Sequence, residues 1–144
     1  MTLIPNIDLF KADTTNPFEL ADAGSLCCGF PSPADDFLEQ SLDLNKFLIK
    51  NPSSTFYGRV SGNSMHNAGI HDGDILIIDK SLHAQDGDIA VCWINGEHTV
   101  KRLKIKKDSI YLVPENADYS MTKVMPEDNF LVWGIVIHVV KSTR

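Results

Sequence analysis

The chain is short of positive charge, long apolar runs, cysteine pairs and metal-binding spacing. Its 13 lysines and arginines face 19 aspartates and glutamates, for a net charge of −6. That balance argues against a protein whose main work is gripping nucleic acid, which normally carries a basic stripe. No apolar run approaches the roughly 17 residues a membrane-spanning helix needs, so no membrane partner is expected. The opening residues, "MTLIPNIDLFKADTTNPFEL", lack the basic start, apolar stretch and small-residue exit of a signal peptide. A cytoplasmic location is the default expectation. The three cysteines are an odd count, and a disulfide between adjacent Cys27 and Cys28 would be strained. A disulfide framework is therefore not expected. Cys27, Cys28 and Cys92 also lack zinc-finger spacing.

What is present fits one ordinary domain. The 144 residues are 43% hydrophobic and 22% charged, enough for a packed core. Residues 1–28 mix prolines, asparagines and threonines with scattered apolar residues, and no period holds for long. They read as a flexible N-terminal arm, extended or partly ordered by docking. In "SPADDFLEQSLDLNKFLIKN", Ser32 can cap a helix with Pro33 at its first position, and Phe37, Leu38 and Leu42 share one face. Asp43 can break that helix and cap a second turn carrying Leu44, Phe47 and Leu48. Asn51-Pro52 ends it.

From residue 55 the pattern is β. "TFYGRVSG" and "DILIIDK" predict strands, and "DIAVCWI" and "EHTVKRLKIKK" flank Asn95-Gly96, the preferred pair of a type I′ hairpin turn. "SIYLVPEN" and "FLVWGIVIHVVK" add two more strands. The last is apolar almost throughout, which predicts burial on both faces. The expected fold is mostly β, with one or two short N-terminal helices.

Two residues stand out for chemistry. Ser64, in "VSGNSMHNAGIHDGD", follows Gly62 in a turn whose backbone amides can face a developing oxyanion. It also fits an ordinary loop serine. Lys101 alternates onto the same strand face as Thr99, Leu103 and Ile105, while Val100, Arg102, Lys104 and Lys106 share the other, basic and wet face. A lysine on an apolar face is desolvated, its pKa falls, and the neutral amine can deprotonate a serine hydroxyl. It also fits a lysine that snorkels out at a strand edge. His66, His71, Asp72 and Asp74 lie close together but match neither an EF-hand nor HExxH. "DGD" recurs at 86–88, each time before an apolar run, as a tight turn feeding a strand would. No metal and no cofactor is expected. A small β domain with open edges suggests a homodimer.

In this order and spacing, the "SG-x-SM" turn, the "DGD", the "TVKRL" strand, "LVPEN" and "VWGIVIHVVK" resemble the UmuD family over nearly all of residues 28–144. UmuD proteins are the self-cleaving subunits of the bacterial SOS mutagenesis polymerase, DNA polymerase V, and group with LexA-type repressors as Ser-Lys autopeptidases. The resemblance implies a compact, dimerising β fold, with Ser64 as nucleophile and Lys101 as general base. Backbone amides at Asn63 and Ser64 would hold the oxyanion. The implied scissile bond is Cys28-Gly29, just before "FPSP". It divides the chain into an arm, 1–28, and a peptidase domain, 29–144. Ala23-Gly24 mimics the Ala-Gly bond usual in LexA-type repressors but has the wrong residues after it. The resemblance further implies stimulation by the RecA–single-stranded-DNA filament and a shortened form that joins the catalytic subunit of polymerase V. Residues 1–28 are too few for a helix-turn-helix, so sequence-specific DNA binding is not expected. The competing reading is a non-catalytic polymerase-binding adaptor of the same fold.

Overall fold

The computed structural model describes residues 7–12, 19–22 and 40–144. The scissile bond inferred above and residues 32–39 of the expected first helix lie outside the described residues. The chain divides into two units: residues 1–12 with 53–144, and residues 13–52.

In the smaller unit, β2 (Glu19–Asp22) pairs antiparallel with β3 (Gln40–Asp43), in a register that pairs Leu20 with Leu42. The structure corrects the expected helix here: residues 40–42 are strand. The helical signal was one weak cap and three apolar residues, and a cross-strand partner outweighs so small a propensity. The second turn is where it was expected. Asp43 caps α1 (Leu44–Leu48), its carboxylate accepting from the Asn45 amide at 3.0 Å.

The larger unit is a single antiparallel sheet. Its strands are β1 (Ile7–Lys11), β4 (Thr55–Val60), β5 (Ile75–Asp79), β6 (Ile89–Ile94), β7 (Glu97–Lys106), β8 (Ser109–Val113), β9 (Thr122–Lys123) and β10 (Phe130–Val140). They lie in the order β1-β4-β5-β10-β6-β7-β8-β9. Among the described residues no helix is long and apolar enough to cross a membrane. Asn95 (φ 49°) and Gly96 (φ 89°) both take positive φ, as the hairpin turn between β6 and β7 requires. β9 has only two residues and no sequence pattern of its own.

One part of the sheet sharpens the expectation and another differs from it. Ile7–Lys11, read as arm, is an edge strand, and Ile7 is buried in the core. Five residues are too few to display a period, so the alternation of Ile7 and Leu9 with Asp8 was not decisive. The difference is β10, which is buried only at Gly134 and Ile135, while Leu131, Val139 and Val140 are exposed. The reason is topological. Residues 130–135 pair with β6 and residues 135–140 with β5, so each half has one neighbour, and only Ile135 has both. β10 thus joins two half-sheets, with a register shift on each side of Gly134 and Ile135.

Two apolar clusters fill the unit. One gathers Ile7, Val60, Met65, Ile70, Leu76, Ile78, Val91 and Val100. The other gathers Ala90, Cys92, Ile94, Leu103, Leu112 and Ile135. At the join, a Cβ on Gly134 would stand 2.5 Å from Ile78 Cγ2. Gly134→Ala should therefore lower stability by about 1–3 kcal/mol, as overpacking does. Denaturant unfolding measures it, and the loss should shrink when Ile78→Ala is present in the same chain.

Candidate functional site

Ser64 and Lys101 come from different half-sheets, and two copies of one turn hold the segments that carry them. In Asp72-Gly73-Asp74, Gly73 takes φ 88°. Its amide donates to the Val60 carbonyl at 2.8 Å, and the Val60 amide donates to the Asp74 carbonyl at 2.9 Å. The Asp72 carboxylate accepts from the Gly62 amide at 2.8 Å. In Asp86-Gly87-Asp88, Gly87 takes φ 90°. Here the Gly87 amide donates to the Leu103 carbonyl at 2.9 Å, and the Leu103 amide to the Asp88 carbonyl at 2.7 Å. The Asp86 carboxylate accepts from the Ile105 amide at 2.7 Å. The first turn grips the chain just before Ser64, the second just after Lys101.

Ser64 is further set by its neighbours. Met65, the next residue, is buried in the core and anchors the turn there. The Asn63 carbonyl accepts from the His66 amide at 3.1 Å and from the Asn116 side chain at 2.8 Å. The Asn67 amide donates to the Glu115 carbonyl at 2.7 Å. Glu115 and Asn116 belong to the "LVPEN" stretch, to which residue reasoning assigned no part in the site. A proline and an asparagine closely following a strand, Pro114 and Asn116, were the available signal of a turn.

Lys101 lies in β7 with Thr99 and Leu103 on its face, and all three are buried. The expected alternation therefore holds, except that Val100 on the other face is buried in the core. The Lys101 ammonium donates to Ser64 Oγ at 3.1 Å, to Thr99 Oγ1 at 2.9 Å and to the Val100 carbonyl at 3.0 Å. Ser64 is 7% exposed and Lys101 8%. Desolvation lowers the Lys101 pKa from 10.5 to about 8. A thiolate at Cys92, on the neighbouring strand, would pull that value back up. But burial pushes the Cys92 thiol up to about 12, so it is neutral over the range in which Lys101 titrates. The amine is charged only at the expense of burial.

The other candidates are placed as follows. Asn63 adjoins Ser64 in the turn. Asp72 and Asp74 serve the turn: Asp74 accepts from the His71 amide at 2.8 Å and pairs with Lys141. Burial alone would raise the Asp74 pKa; Lys141 and the His71 amide outweigh it and hold it low. The His66 and His71 rings meet edge to face at 4.4 Å. Among the described residues no group of three or more histidines, cysteines or carboxylates could hold a metal ion.

Residues 21–137 match the family described as Peptidase S24-like. The chain belongs to the Peptidase S24-like family. ImpA of Escherichia coli is 41% identical over 117 residues, covering 81% of this chain and 79% of its own. MucA of Escherichia coli is 38% identical over 138 residues, covering 92% of each. The LexA repressor of Acidithiobacillus ferrooxidans is 39% identical over 121 residues, covering 82% of this chain but 58% of its own. The UmuD-type resemblance and the mostly β peptidase fold read from the sequence are borne out.

The burial of Lys101 has a pH signature. Its folded pKa is lowered, so below about pH 8 the folded state carries a full penalty that the unfolded chain does not. That penalty disappears between the folded value and 10.5. Relative to Lys101→Met, the wild type should gain up to roughly 3 kcal/mol between pH 8 and 10.5, measured by urea unfolding.

Proposed function

We propose that this protein is an autopeptidase of SOS mutagenesis that cuts its own Cys28-Gly29 bond with Ser64 and Lys101. The observation that carries the reading is the buried Lys101 Nζ at 3.1 Å from Ser64 Oγ. The Peptidase S24-like family supports a serine peptidase in general, and the UmuD-type relatives support the SOS role.

The hydrogen bonds suit a base. An ammonium has three N–H donors, and the three acceptors around Lys101 take all of them. After loss of one proton, Thr99 Oγ1 and the Val100 carbonyl keep the two remaining N–H groups. The lone pair then faces the Ser64 hydroxyl. Neutral Lys101 takes that proton as Ser64 Oγ bonds to the carbonyl carbon of Cys28. The C–N bond to Gly29 breaks, and the proton passes from Lys101 to the departing amine. Water, deprotonated by Lys101 in its turn, releases the acyl group as the carboxylate of residue 28 and restores Ser64.

The oxyanion would lie against backbone amides at Asn63 and Ser64. The two donors on the Asn63 carbonyl fix the plane of the Asn63–Ser64 peptide, and a trans peptide points its N–H opposite to its carbonyl. A tethered substrate is present at high effective concentration, so weak docking suffices. Gly29 has no Cβ, which eases entry of the backbone into a crowded cleft.

In this reading the RecA–single-stranded-DNA filament stimulates the cut. The product, residues 29–144, acts in the cytoplasm as a homodimer with the catalytic subunit of the translesion polymerase. The intact chain, incubated with activated RecA filament, should convert to a fragment beginning at Gly29 by intact-mass analysis. Ser64→Ala and Lys101→Ala should each slow conversion by ~10³-fold or more with unchanged circular dichroism. Wild-type chain that does not convert would mark a non-catalytic adaptor of the same fold.

A further inference from the structure

β1 is held to the β4 edge over its whole length, Ile7 facing Val60, Leu9 facing Gly58 and Lys11 facing Phe56. The contact has a built centre. A Cβ on Gly58 would stand 2.6 Å from Ile7 Cγ1 and 3.1 Å from the Asp8 carbonyl oxygen. The missing side chain of Gly58 is therefore the space that Ile7 fills. Ile7 is buried in the core cluster and Leu9 packs against it. On the outer side the Phe10 ring stacks on Tyr57, centroids 5.1 Å apart and 17° from parallel. Lys11 Nζ lies 4.5 Å from the Phe56 ring centroid and donates to the Ser53 carbonyl at 2.7 Å.

Residues 7–11 precede Cys28-Gly29 in the chain, so cutting that bond places β1 on the severed fragment. We propose that the β4 edge is a strand-acceptor site, filled by β1 in the uncut chain and open to a partner protein afterwards. The proposal rests on cleavage at Cys28-Gly29. The partner supplies an extended segment that runs antiparallel to β4. It carries an aliphatic side chain for the Gly58 socket, an apolar one two residues later and an aromatic one after that. Backbone pairing gives such a segment affinity, and the socket gives it selectivity.

The tether explains the switch. While the chain is intact, β1 meets β4 at an effective concentration on the order of millimolar. Severing the tether makes the contact bimolecular, and the five residues of β1 with one deeply buried side chain, helped only by the four-residue pairing of β2 with β3, are lost on dilution. A second copy's β4 is a poorer occupant. Its Gly58 has no side chain to offer, and its Val60 is committed to its own core.

The test uses the full chain carrying Ser64→Ala and a recognition site for an added site-specific protease after Cys28. Severing is then independent of Ser64 and Lys101, so a failure of self-cleavage leaves this result standing. A fluorescent peptide of residues 5–13 is titrated against cut and uncut chain by anisotropy. The cut chain should release its arm on gel filtration and bind the peptide about tenfold or more tightly than the uncut chain. Ile7→Asp in the peptide, and Gly58→Val in a chain that remains folded by circular dichroism, should each abolish that gain. Retention of the arm after cutting would overturn the proposal. So would equal binding by cut and uncut chain, unimpaired binding of the Ile7→Asp peptide, or a cut chain that self-associates and excludes the peptide.

Discussion

An amine buried beside a hydroxyl is the constraint on which this structure depends. A lysine in contact with water would be charged near neutrality and useless as a base. Burial reverses that preference, but it also makes the charged form expensive. The surrounding residues meet both demands. Thr99 Oγ1 and the Val100 carbonyl satisfy the amine in either state, and the neighbouring Cys92 thiol adds no counter-charge. Arrangements of this kind, a titratable group displaced by burial against a potential nucleophile, are what acid–base chemistry at neutral pH requires.

Placing that contact is an architectural problem, because its two members sit in separate half-sheets. β10 joins the halves, overlapping both neighbours only at Ile135. Each half then uses the same device. A glycine with positive φ, flanked by two aspartates, clamps one residue of a strand through its amide and its carbonyl. The clamped residues are Val60 and Leu103, four residues before Ser64 and two after Lys101. The acidic residues near the serine, which look from sequence like metal ligands, are spent on backbone amides.

The sequence made the large elements legible because they obey simple periods. The Asn95-Gly96 hairpin, the alternation that turns Lys101 inward with Thr99 and Leu103, and the Asp43 cap all follow from local chemistry. The short elements were illegible for one cause. Ile7–Lys11, residues 40–42 and β9 take their structure from a partner strand outside their own segment, and none has enough residues to show a pattern alone. β10 reads as doubly buried because composition reports apolarity but not how many neighbours each half has. In the site, Ser64 and Lys101 were separately readable as a turn serine and an inward lysine. Their meeting, and the part of Asn116 in fixing the Asn63 peptide, depended on the tertiary fold.

The direct test is the rate at which the intact chain, held with preassembled filament, forms the fragment beginning at Gly29 as pH is varied. A base that must lose a proton at about pH 8 predicts a rate that climbs about tenfold between pH 7 and 9 and then levels off. A rate that is flat or falls over that range would contradict Lys101 as the base.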